Sequence, residues 1–134
     1  MMRPSLGAAI CAATVALSAA SPAAAEGEAV WLSRQQVQAD GGRLLSASEL
    51  ESLLVGKTCS VQRRKGDNLR AVFTDEGMVL HDKGFTPYRI TTEGEVCYTG
   101  RSGRANCQTV LQTRTGYRVF DADGTQRSIV TCGT

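Results

Sequence analysis

The chain has 134 residues, with 15 lysines and arginines against 13 aspartates and glutamates, five cysteines and a single histidine. That length holds one small domain. The near-balanced charge offers no grip on a polyanion, so no nucleic-acid partner is expected, and one histidine leaves little for zinc or general acid–base chemistry.

The first 25 residues, MMRPSLGAAICAATVALSAASPAAA, have a basic start at Arg3 and an alanine-rich apolar stretch from Leu6 to Ala20. Small residues follow at Ala23, Ala24 and Ala25. This order is that of a secretory signal peptide cleaved after Ala25, which implies a periplasmic or secreted product. The apolar run is too short, and too broken by Ser18 and Ser21, for a membrane span. Cys11 leaves with it. The remaining 109 residues carry +1 and four cysteines, Cys59, Cys97, Cys107 and Cys132. An even number in an exported small domain reads as two disulfides.

Residues 26–44, EGEAVWLSRQQVQADGGRL, are polar, and Val30, Trp31, Leu32 and Val37 fit neither helical nor strand spacing. A flexible N-terminal arm or a short edge strand is expected, with Trp31 folding back on the domain or engaging a partner. The domain proper is expected over 45–134. It opens with LLSASELESLLVGK, residues 44–57. Ser46 and Glu49 make a capping box, and Leu45 with Leu50 a hydrophobic staple. Leu50, Leu53 and Leu54 share one face, Gly56 stops the helix in the left-handed region, and Lys57 suits the negative end of its dipole.

From Lys57 onward, short β-type runs recur at intervals of about ten residues: TCSVQR, NLRAVF, GMVLHD, TPYRIT, EVCYTG, NCQTVLQT, GYRVF and QRSIVTC. Glycine-bearing turns separate nearly all of them. No connection is long enough for a crossover helix, so the sheet must be antiparallel. The fold class is therefore mainly β: an up-and-down barrel or meander of about eight strands, with one short N-terminal helix covering an end.

The cysteines follow from that plan. In a hairpin centred on residue 102, positions 97 and 107 lie opposite each other on one face. Cys59 lies in the first strand and Cys132 in the last, which are neighbours in a closed barrel. The expected bridges are Cys97–Cys107 and Cys59–Cys132. Neither pair has the C-x-x-C spacing of a redox site or the ligand set of a zinc site.

Other chemistries find little footing. His81 and Asp82 are adjacent on a strand and point to opposite faces, and no nucleophile signature accompanies them. The DADG at 121–124 lacks the glutamate six residues past its glycine that a calcium loop requires, position 130 being valine. No catalytic residue, metal ligand or cofactor site is assigned. What stands out is charge. Turns bearing Arg63, Arg64, Lys65, Lys83, Arg101, Arg104 and Arg114 are assigned to one end of the barrel, and the acidic turns TDEG, TTEG and DADG to the other. The basic rim would take an anionic partner.

The stretch LSASELESLLVGKT, followed by short strands and the V-C-Y…N-C pair, resembles a group of small exported bacterial domains of the alphaproteobacterial type, with Tyr88 where such domains often carry tryptophan. That resemblance covers residues 45–132 and brings no catalytic residues. The arm and disulfide-bearing barrel are also distantly similar to small periplasmic metalloprotease inhibitors, which would imply an arm that enters a protease cleft. The functional expectation is a non-catalytic exported binding or structural module whose partner is a protein or anionic envelope component. An arm-driven protease inhibitor is the alternative, and an enzyme the third reading.

Overall fold

A computed structural model describes residues 31–133. The proposed signal peptide with its Cys11, residues 26–30 of the arm, and Thr134 lie outside the described residues. The elements in order are α1 (Arg34–Ala39), β1 (Arg43–Leu44), α2 (Ala47–Leu54), β2 (Thr58–Arg63), β3 (Leu69–Phe73), β4 (Met78–His81), β5 (Gly84–Ile90), β6 (Val96–Thr99), β7 (Ala105–Thr113), β8 (Gly116–Asp121) and β9 (Gln126–Gly133).

Strands β2 to β9 pair in sequence, each antiparallel to the last, and β9 returns to pair with β2. The result is a closed eight-stranded up-and-down barrel with two short helices and two disulfides. Closure satisfies the backbone groups that the two terminal strands would otherwise expose. Cys59 and Cys132 sit opposite each other in the closing β2–β9 ladder, and Cys97 and Cys107 oppose each other in the β6–β7 hairpin. Both bridges are formed as the spacing predicts.

Alternation sorts the strands into an inner and an outer face. Inward residues are mostly small or β-branched: Val61, Ala71, Val79, Val96, Val110 and Val130. Helix α2 seals one end. Its capping box is present, with the Ser46 hydroxyl accepting from the Glu49 N–H and the Glu49 carboxylate accepting from the Ser46 N–H at 2.9 Å. Leu50 and Leu54 are buried in the same cluster as the barrel interior. Gly56 follows in the left-handed region, and Lys57 Nζ donates to the Ser52 carbonyl in the last turn. Gly94 lets the β5–β6 turn press against the approach to α2: a Cβ there would lie 2.9 Å from the Leu45 carbonyl oxygen.

Residues 31–44 are not a loose arm. Ser33 and Gln36 form a second capping box at the start of α1. Val37 and Leu32 pack with Leu111 and Phe120 on the outside of the barrel. Leu32 N–H donates to Gln126 Oε1, Arg34 N–H to the Gly124 carbonyl, and Arg34 Nη1 to Thr109 Oγ1. Next, β1 pairs with the second half of β7, along the edge that β6 occupies nearer the other end. The segment gains order from partners distant in sequence, which no local spacing reveals.

Gln126 reaches the outer face through a bulge and meets Phe120, which ordinary alternation from Val119 already places there. Val119 pairs with Ser128 but Phe120 pairs with Gln126, so Arg127 is the extra residue. The bulge reverses the alternation, leaving Ser128 inward and Gln126 outward beneath Leu32.

Candidate functional site

The small inward side chains leave the barrel hollow. A cavity of about 720 Å³ runs from Leu54 on α2 to the opposite mouth. An eight-stranded barrel is just wide enough to be filled by side chains or to hold one small ligand. Valine and alanine at the inward positions select the second outcome.

The lumen is graded along its axis. At the floor, Cys59 and Cys132 face each other; one inward pair higher are Val61 and Val130; above these are Arg63 and Ser128. Across the barrel, Val96 pairs with Gln108 and, nearer the mouth, Tyr98 with Asn106. The wall therefore passes from apolar to polar to cationic. Phe73 and Tyr88 brace the apolar part edge to face, with ring centroids 5.1 Å apart, and the Tyr88 hydroxyl donates to the Thr74 carbonyl at 2.7 Å. Burial, then the nearby Asp75, raises the Tyr88 pKa.

Tyr98 differs. Burial first, then the Tyr88 hydroxyl, pushes its pKa well up, so it stays a donor at neutral pH. Its hydroxyl and that of Ser128 have no hydrogen-bond partner among the described residues; both lie on the cavity lining, open to whatever occupies it, whereas the buried side-chain atom without a partner is Gln126 Nε2.

At the mouth, Arg63, Arg64, Lys65, Lys83 and Arg127 line the cavity against the single carboxylate of Asp82. Arg127 meets Asp121 at 3.4 Å. The other four have no ion-pair partner among the described residues. Arg63 Nε donates to the Asp67 carbonyl, which holds the guanidinium at the end of β2. His81 also lines the mouth; its Nε2 shares a 3.0 Å hydrogen bond with Thr86 Oγ1 and its Nδ1 accepts from the Lys83 N–H.

The seven basic residues singled out from the sequence therefore divide three ways. Arg63, Arg64, Lys65 and Lys83 line the mouth. Arg101 and Arg104 lie in the β6–β7 turn at the same end, outside the cavity lining. Arg114 does not belong with them. It sits in the β7–β8 turn, which follows the sixth barrel strand and so lies at the α2 end with the TDEG and TTEG turns. The DADG turn, after the seventh strand, lies at the basic end. The assignment of Arg114 and DADG slipped by one strand, and an up-and-down barrel converts such a slip into the opposite end. DADG itself is a turn: Asp123 Oδ1 accepts from the Thr125 N–H, which holds its carboxyl below the usual range. Sequence reading missed Tyr98, Ser128 and Arg127 as cavity residues. Their signal, inward parity at the mouth ends of β6 and β9, depends on strand ends and on a bulge.

The four cysteines are all disulfide-bonded. Glu95 lies close to the Cys97–Cys107 sulfurs, but a disulfide offers no thiolate for a metal. No helix among the described residues is long and apolar enough to cross a membrane. No family model, curated protein or solved structure matches the chain.

Proposed function

We propose that the protein is a non-catalytic, exported binding module that holds a small molecule inside its barrel. The observation that carries this reading is the 720 Å³ lumen, apolar at its floor and open at one polar mouth. Ligand pockets have this size and this mix of apolar wall with a few aimed polar groups. Export rests on the proposed signal peptide and agrees with the two disulfides. The lack of a catalytic role rests on the chemistry of the residues at hand. His81 is held by the Thr86 hydroxyl and the Lys83 backbone, with no carboxylate partner among the described residues to orient it as the base of a triad. The docking of residues 31–44 removes the local support for an arm-driven protease inhibitor.

The test is binding of a neutral apolar fluorophore such as N-phenyl-1-naphthylamine. The reporter should brighten with the purified protein, and Val110→Trp or Ala71→Phe, which fill the lumen, should abolish the signal while circular dichroism stays β-rich. Equal brightening by folded variants would place the reporter outside the lumen and refute the reading.

A further inference from the structure

Resting on that lumen reading, we infer that the ligand is a single-tailed amphiphile with an anionic head, its tail toward α2 and its head between Arg63, Ser128 and Tyr98. The residues at the head position, the charge of the rim and the depth of the floor each bear on this assignment. Arg63 and Ser128 are register partners on β2 and β9, so both side chains leave the wall on the inner face, with the Arg63 guanidinium resting over the β2–β3 turn at Gly66 and Asp67, at the rim of the cavity. Tyr98 stands on β6, four strands from β2 and so across the barrel, in the layer that its partner Asn106 marks as nearest the mouth. Its hydroxyl and that of Ser128 are donors without a protein acceptor among the described residues. An anionic head accepts hydrogen bonds from several donors at once, which meets that need; a neutral hydroxyl head meets it less fully, and an ammonium head cannot meet it.

The rim adds the second argument. Arg64, Lys65 and Lys83 surround the opening with no internal counter-ion, Asp82 being the one carboxylate on the cavity lining. Cations outnumber carboxylates on this lining, five to the one of Asp82, and such an excess set in low-dielectric walls focuses its field and draws in the opposite charge. The floor adds the third. From Arg63 to Cys59 is four residues of strand, or about 10 Å of depth at about 3.3 Å per residue and a tilt of about 40°, which suits a chain of about eight to ten carbons. Valines, Ala71, Phe73 and Leu54 line that depth and offer a tail contact, Gln108 opposite Val96 being the polar side chain nearest below the head layer.

Carboxylate and phosphate heads share this chemistry, and a displacement series separates them. The lumen-bound neutral fluorophore is competed with decanoate, decyl phosphate, decanol and decyltrimethylammonium, all below their aggregation thresholds. At least one anion should displace the reporter at a concentration tenfold or more below decanol, and the stronger anion identifies the head group. Arg63→Gln with Ser128→Ala should remove most of that preference and leave decanol unchanged. Raising salt from about 0.02 to about 0.5 M should shrink the preference without any substitution. Displacement by anion and alcohol at equal concentrations would overturn the head-group assignment while leaving the lumen reading intact. Failure of the reporter to bind, or binding unchanged by the lumen-filling variants, would overturn both.

Discussion

Removing the Cys59–Cys132 bridge should cost the barrel more than removing Cys97–Cys107, although both join directly opposed residues. The difference lies in the chain each one closes. The first spans 73 residues and ties the two ends of the barrel together; the second spans 10 within one hairpin. Chain entropy gives about 4.4 kcal/mol for the long loop and about 2.7 kcal/mol for the short one. Nesting the short loop inside the long one lowers the first figure by only about 0.1 kcal/mol. Stabilities of whole domains run to about 5–15 kcal/mol, so the first bridge is a large share of the total. Urea unfolding of C59A/C132A and C97A/C107A under oxidising conditions should therefore separate by about 1.7 kcal/mol, or about 7–14 °C in Tm for a domain this small. The burial penalties are similar, since Cys59 and Cys97 are both fully buried or nearly so. Equal losses, or a larger loss for C97A/C107A, would refute the loop argument and show that β2 and β9 hold together without the bridge.

Four further outcomes follow from the packing. Ser46→Ala removes half of the α2 capping box and should lower stability by about 1 kcal/mol in the same urea assay. Phe120→Ala empties the platform under α1 and should cost about 3–5 kcal/mol, with amide exchange rising selectively over Arg34–Ala39. Gly94→Ala meets both a positive φ of 89° and the Leu45 carbonyl, so thermal unfolding should show a loss of more than about 1 kcal/mol. Glu49 has its pKa lowered from 4.5, first by the Ser46 N–H, then by Arg43. Its contribution is therefore present above pH 4.5 and lost as pH falls through the lowered value. Carboxyl titration by NMR should find Glu49 below 4.5, and Glu49→Gln should flatten that part of the stability profile.

Much of the fold is legible because glycine and cysteine punctuate it. The run TCSVQR coincides with β2, and the other runs differ from their strands by a residue or two at the ends. The helix at Ala47–Leu54 is legible because cap, staple and stop agree with one another. Helix α1 is not, although Ser33-Arg34-Gln35-Gln36 is itself a capping-box sequence. Six residues with one buried side chain, Val37, carry too little periodicity, and the stabilising surface of Leu111 and Phe120 lies over 70 positions away. The four mouth residues Arg63, Arg64, Lys65 and Lys83 are legible as hairpin tips. The hollow they guard is not, because emptiness compares side-chain volume with barrel radius. The same valines would fill a flatter sandwich.

The extra residue in β9 governs parity for two distant parts of the molecule. Inserting one residue between Val119 and Phe120 would give Arg127 a partner, restore strict alternation and turn Gln126, together with Phe120, toward the interior, since Ser128 is fixed by its pairing with Arg63 and Val119. One added codon there would thus both unfasten the Leu32 amide from the outer wall and place a long amide beneath the mouth. A frame of one residue couples how the N-terminal segment is fastened to how much room the barrel keeps, so an insertion opposite the bulge should be far less tolerated than a substitution there.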